Sequence, residues 1–294
     1  MKKFLKFVMY VVLIAVALVV LLGATEIDTE YNVPKYFFDK TIYDNRVYDS
    51  KGVAHPEEQL VMGPNIKDWP DMPALTEDLL VRICAYITDP VTTTDELIPS
   101  GETSSYRSNP ERLSEFALSR RDPDYVPRSK VMRQIERDRQ AGGELPESIC
   151  AVYDALKKHH LSVDPEHTDI GSAIYANMPG DGSAREQAAS CQRVMGGSAN
   201  FARQYATKRY RSNLINWGML PFLIPEGDLP FALGDYLFIP DVYDAVTQKK
   251  QEIPAYVVKQ DGLREFTLTL GDLTDDEREI IEKGCLINYY YSDH

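Results

Sequence analysis

From residue 168 onward, short runs of β-forming residues alternate with short helical segments, and this alternation most narrows what the chain can fold into. The β-type runs are Ala173–Ala176, Ala199–Phe201 and Tyr236–Ile239. Lys259–Gln260–Asp261–Gly262 joins Ala255–Val258 to Phe266–Leu270 as an expected hairpin. Thr274 and Glu277 predict a capped helix start, Gly284 its end, and Cys285–Tyr290 reads as a closing strand. The pattern is that of an α/β layered domain.

Upstream, the residues predict helices at about 110–120, 128–141 and 146–159, the last with Pro146 in its first turn. A further helix is expected after Thr76, acidic at its start and apolar at Leu79, Leu80, Ile83 and Cys84, ending at Asp89–Pro90. Thr92 to Asn109 is a Ser/Thr-rich loop, long enough to suggest a functional role. Residues 24–75 read as an extended linker, with the folded domain spanning 76–294.

Residues 1–23 form a signal-anchor-like segment. Phe7 to Leu22 is an unbroken apolar run of 16 residues, preceded by Lys2, Lys3 and Lys6 and followed by acidic residues. That pattern suggests an N-terminal apolar helix and a membrane partner through residues 4–23.

A net charge of −13 argues against a nucleic-acid partner. Cys84, Cys150, Cys191 and Cys285 lie far apart, with no CxxC pair and no His at zinc-ligand spacing. They read as single buried thiols, and no metal site is expected.

Two segments concentrate chemistry. In Pro179–Gly180–Asp181–Gly182–Ser183–Ala184–Arg185–Glu186–Gln187, two glycines precede a helix start, and Ser183 with Glu186 has capping-box spacing. Backbone amides there suit an anion, Arg185 suits a carboxylate, and the Ser183 hydroxyl is a candidate proton acceptor. The spacing alone fits equally a plain helix cap and a surface arginine. From Arg185 to Arg211 six basic residues stand against Glu186 alone, a basic island in an acidic chain. In the second segment Asp95 and Arg107 flank the Ser/Thr-rich loop, as an orienting acid and a carboxylate clamp; a flexible polar loop fits as well.

Together these segments resemble the C-terminal part of the aconitase superfamily, especially the bacterial aconitase-like hydratases. The family's Gly-Ser-Ser-Arg-Glu-His loop corresponds to Gly182–Ser183–Ala184–Arg185–Glu186–Gln187. Its Leu-Gly-Gly turn corresponds to Met195–Gly196–Gly197, and its Gly-Leu-Leu-Pro segment to Gly218–Met219–Leu220–Pro221. The Thr-Thr-Asp-His segment, with an Arg twelve residues after its Asp, corresponds to Thr93–Thr94–Asp95–Glu96 and Arg107. The linker ends in the family's Ile-Lys-Asp-Trp-Pro type, here Ile66 to Pro70. The likeness runs from about Tyr31 to the C-terminus.

The resemblance implies a swivelling β/β/α domain and a hydro-lyase acting on a hydroxy di- or tricarboxylate. It makes Ser183 the catalytic base, Asp95 an orienting catalytic residue, and Arg107 and Arg185 the carboxylate-binding pair. The 4Fe-4S cluster is expected only on a partner or on further domains, and none on this chain. A cluster-bearing large subunit is therefore an expected partner, as in isopropylmalate isomerases, and the chain alone is expected to be inactive. Ala184, Gln187 and Glu96 depart from the family pattern and leave the acid open. The resemblance implies a cytoplasmic protein, whereas the N-terminal run implies membrane anchoring. A membrane-anchored carboxylate-binding domain without catalysis, or a truncated gene product, is the alternative.

Overall fold

The computed structural model describes residues 2–23, 33–44, 52–59, 61–259 and 261–291. Two units, residues 1–60 and 61–294, are each described by themselves. The first contains helix α1 (Lys2–Gly23) and the single turn α2 (Thr41–Asp44). At 1.5 Å per residue, the 16-residue apolar run inside α1 extends about 24 Å, short of the roughly 30 Å hydrocarbon core of a bilayer. Among the described residues no helix is long and apolar enough to cross a membrane, so the anchor expected of residues 4–23 finds no span there.

The second unit is built on a mixed seven-stranded sheet. In chain order its strands are β1 (Asp78–Ile87), β3 (Thr168–Ala176), β5 (Gly197–Ala202), β6 (Leu220–Leu223), β7 (Tyr236–Ile239), β8 (Ile253–Lys259) and β9 (Gly262–Leu268). A separate pair, β2 (Thr92–Thr93) and β4 (Pro179–Asp181), stands beside it. The sheet order is β6-β5-β3-β1-β7-β8-β9; the first four strands are parallel, and β7, β8 and β9 continue antiparallel. Leu223, at the end of β6, exchanges backbone hydrogen bonds with Thr269, just past β9, at 2.7 and 3.1 Å. The two edges of the sheet therefore meet, and the sheet curls on itself.

The curl separates two cores. Leu79, Val81, Ile83, Ala173, Tyr175, Phe201, Phe222, Leu237 and Val257 pack inside it. Leu80, Cys84, Ile170 and Ile174 face outward, against a layer of helices. That layer comprises α3 (Thr94–Leu97), α4 (Pro110–Ser114), α5 (Tyr125–Gln140), α6 (Glu147–Lys158), α7 (Arg185–Val194) and α8 (Lys208–Asn216). Helices α9 (Val242–Thr247), α10 (Asp275–Glu282) and α11 (Leu286–Tyr291) complete the chain.

Two segments differ from expectation. The helix expected after Thr76 is instead β1, with the rest of the sheet on both sides of it. Its residues are apolar at nearly every position rather than on one stripe, which suits a strand buried on both faces. A bulge between Ile83 and Ala85 reverses its inside–outside alternation. The closing strand expected at Cys285–Tyr290 is helix α11. Gly284, at φ +90°, turns the chain, and Asn288 Nδ2 donates to the carbonyls of Met72 and Lys283 at 2.8 Å each. The hairpin and the Thr274–Glu277 capping box form as expected. Pro146 stands one residue before α6.

The approach to β1 lies flat on this unit. Leu75 N donates to Glu282 O (3.0 Å), and Arg193 Nη2 to Pro73 O (3.2 Å). Thr76 exchanges hydrogen bonds with Asp169 at the start of β3 (3.0 and 3.3 Å). Asp169 also accepts from Arg139 (3.2 Å), which is held in turn by Glu136 (2.6 and 2.8 Å). Burial, reinforced by the Glu136 charge, raises the Asp169 pKa to about 6. The folded state thus holds a proton that an ordinary aspartate has lost by then, a stabilising contribution that disappears as pH rises through this range. The stability difference between wild type and Asp169→Asn should therefore fall by on the order of 2 kcal/mol from about pH 4 to 7, measured by urea unfolding. A difference that stays flat or grows would refute this ionisation.

Candidate functional site

The loops that carry the candidate chemistry follow the C-terminal ends of the parallel strands, where open α/β sheets place their ligand sites. β2, which follows β1, pairs with β4, which follows β3: Thr92 lies opposite Pro179 and Thr93 opposite Asp181. This small ladder joins the Thr93–Asp95 segment to the glycine loop.

The loop passes close over its support. Gly180 (φ +99°) lies against the Tyr210 ring, and a Cβ there would approach ring carbon at 2.3 Å. Gly182 (φ +135°) lies against Thr94 Oγ1, where a Cβ would come within 2.1 Å. Neither position has room for a side chain. Beneath the loop is a closed polar triad. Gln192 Nε2 donates to the Tyr210 hydroxyl (2.9 Å), that hydroxyl to Asn200 Oδ1 (3.1 Å), and Asn200 Nδ2 to Gln192 Oε1 (2.8 Å). All three side chains are buried, and burial raises the Tyr210 pKa. A buried network with its groups paired makes a rigid platform.

A capping box forms at the start of α3 but not at the start of α7. Thr93 caps α3 with Glu96: Thr93 N donates to Glu96 Oε2 (2.7 Å) and Glu96 N to Thr93 Oγ1 (3.3 Å). The Ser183–Glu186 box is absent; the N-cap of α7 is Ala184, with no side-chain cap bond. Glu186 instead accepts from the indole N–H of Trp217 (3.1 Å). Ser183 is left exposed, with no side-chain hydrogen bond among the described residues, and the first-turn amides of α7 have no side-chain cap. Arg185 begins α7, and its buried Nε has no partner among the described residues.

Asp95 is exposed and ion-paired to Arg120, which also holds Glu102. No sequence motif marked Arg120, because the contact spans 25 residues. Arg107 is exposed beside the single 3-10 turn Ser104–Tyr106, just before α4, and α4 packs on α7.

The basic island does not gather at the loop. Arg193, at the far end of α7, donates to the carbonyls of Gly197 (3.4 Å) and Pro73. Arg211 donates to Leu270 O and Asp272 O (2.7 and 2.8 Å), and Arg203 to Gly227 O. Although close in sequence, these cations are carried by the fold to separate backbone carbonyls. A cleft of about 260 Å³ lies by that far end of α7, lined by Asp71, Arg133, Glu136, Asp169 and Arg193. Ser183, Arg185, Asp95 and Arg107 do not line it.

Cys84, Cys191 and Cys285 are buried in the outer core, whereas Cys150 is exposed, unlike the buried thiol expected. Burial raises the Cys84 pKa to about 12 and raises that of Cys191 as well, so both stay protonated. Among the described residues these cysteines do not gather into the set of thiolates that an iron–sulfur cluster requires. Among the described residues no group of three or more His, Cys, Asp or Glu is placed to hold a metal ion.

Residues 169–227 match the family model of the aconitase C-terminal domain. Aconitate hydratase A of Escherichia coli strain K12 is 26% identical over 240 residues, covering 74% of this chain and 26% of that protein. Aconitate hydratase A of Streptomyces viridochromogenes is 29% identical over 203 residues, covering 61% of this chain and 21% of that protein. The chain thus spans about a quarter of the length of the curated relatives it matches. A crystal structure of 3-isopropylmalate dehydratase from Methanocaldococcus jannaschii is 19% identical, with a TM-score of 0.41, covering 74% of this chain and 95% of that one.

The packing of the glycine loop is directly testable. Gly180→Ala should lower stability by about 2–4 kcal/mol in urea unfolding, because it adds both a strained φ and a clash with Tyr210. A loss under about 0.5 kcal/mol would mean the loop does not rest on that ring.

Proposed function

We propose that this chain carries a swivel domain of the aconitase superfamily, a reading that its matches support, and that it is the substrate-binding and catalytic-base half of an aconitase-type hydro-lyase. Its substrate is a hydroxy di- or tricarboxylate, and it works with a 4Fe-4S-bearing partner subunit or further domains. The supporting observation is the glycine loop, which presents an unbonded Ser183 and the uncapped start of α7 beside the Thr93–Asp95 segment.

In this reading Ser183 removes the proton from the carbon next to a substrate carboxylate. A serine hydroxyl is a poor base unless its alkoxide is stabilised, and the first-turn amides of α7 with Arg185 provide positive potential for that. Arg185 and Arg107 bind substrate carboxylates through charge-assisted, two-pronged hydrogen bonds. Asp95 orients groups at the site and is itself positioned by Arg120. Loss of the hydroxyl group needs chemistry that this chain's cysteines do not fit, which is why the proposal includes a partner. Ala184 and Gln187, in place of a serine and a histidine in the family loop, set the choice of acid.

The test is turnover of hydroxy acids by the chain mixed anaerobically with a cluster-bearing partner. Ser183→Ala should lower kcat by about 10²- to 10⁴-fold, with the thermal unfolding midpoint unchanged. Arg185→Ala or Arg107→Ala should weaken the acid by roughly 10- to 100-fold. Full turnover in Ser183→Ala would remove the assigned base. A chain that binds the acid yet adds nothing to a partner's turnover would be a carboxylate-binding domain.

A further inference from the structure

The chain has two tryptophans, and they touch. Trp69 in the linker packs on Trp217 after α8, with ring centroids 4.3 Å apart. Trp217 is nearly buried, and its indole N–H is spent on Glu186 Oε1 at 3.1 Å. Glu186 is the residue after Arg185, in the first turn of α7. Two residues before Trp69, Lys67 N donates to Ser108 O at 2.9 Å, next to Arg107. A short stretch of linker is therefore fastened to both segments that carry the carboxylate-binding arginines.

The charge on Glu186 makes this contact consequential. A carboxylate in the first turn of a helix is drawn to the uncapped amides and the positive end of the dipole. Those amides are the groups a substrate carboxylate needs. Left free, Glu186 would occupy or oppose the site, whereas the Trp217 hydrogen bond holds it to one side.

Resting on the function proposed above, we propose that Trp217 is a positioning residue that keeps Glu186 off the mouth of α7. Trp69 sets where Trp217 sits, so the seating of the linker tunes how strongly the glycine loop binds a carboxylate. Movement of the linker would then be read out as substrate affinity through a ring contact and one hydrogen bond.

The experiment is calorimetric titration of the full chain with citrate, with thermal melts to check folding. Trp217→Phe keeps the ring and deletes the donor; it should bind citrate about two- to fivefold more weakly than wild type. Trp69→Ala should weaken binding to a similar extent. In Glu186→Gln the amide oxygen still accepts from Trp217 while the charge is gone, and citrate affinity should equal or exceed that of wild type. The decisive result is rescue: Trp217→Phe and Trp69→Ala made in the Glu186→Gln background should return to within about twofold of wild type. Unchanged affinity in either tryptophan variant would overturn the proposal. So would losses that persist in the Glu186→Gln background, since these would reflect packing rather than charge. Wild type that binds neither citrate nor any other hydroxy di- or tricarboxylate in the same titration would remove both this device and the carboxylate site, whereas normal wild-type binding with insensitive tryptophans removes the device alone.

Discussion

The second unit depends on the burial of one strand. β1 pairs in parallel with β3 on one side and antiparallel with β7 on the other, and Leu79, Leu80, Val81 and Ile83 are at most 1% exposed. Fully burying a side chain of this kind contributes roughly 1.5–3 kcal/mol. Because β1 divides the parallel half from the antiparallel half, its inward and outward residues belong to the two cores separately. The bulge after Ile83 adds one residue and rotates the end of the strand. The chain that leaves it at Thr92 then pairs with β4, which brings the Thr93–Asp95 segment to the glycine loop.

Support for that loop is steric and polar at once. Two glycines with positive φ let the backbone lie against Tyr210 and Thr94, and the Gln192–Asn200–Tyr210 triad fixes Tyr210 from below. Three elements supply the triad (α7, β5 and α8), so the loop is tied to the sheet and to two helices together. Rigidity under the loop leaves the Ser183 hydroxyl and the α7 amides free above it.

Charge is distributed by packing rather than by sequence neighbourhood. Arg193, Arg203 and Arg211 lie near Arg185 in sequence, yet each satisfies backbone carbonyls elsewhere. Asp169, Glu136 and Arg139 form a largely buried network at the start of β3, where Thr76 and the chain entering β1 are secured. Arg185 stands at the start of α7 and Arg107 just before α4, which packs on α7.

Local chemistry is what the sequence by itself determined. The glycine pair before a helix start, the Thr274–Glu277 cap, the hairpin and several short strands were all legible, because each depends on dihedral preference or on hydrogen bonds a few residues apart. The ordered motifs around Ser183, Arg185, Asp95 and Arg107 were legible in another way, as a resemblance to the aconitase superfamily that no dihedral preference or local hydrogen bond supplies. Tertiary structure alone decided what depends on partners distant in the chain. Leu79–Cys84 is a strand because sheet lies on both sides of it, and the tail is a helix because Asn288 reaches Met72 O. Ser183 and Glu186 had the spacing of a capping box and did not form one, since Trp217, 31 residues further on, offered Glu186 a donor. Propensity and spacing are properties of a short segment; burial and hydrogen-bond competition belong to the whole packed chain, and where the two disagree the packing decides.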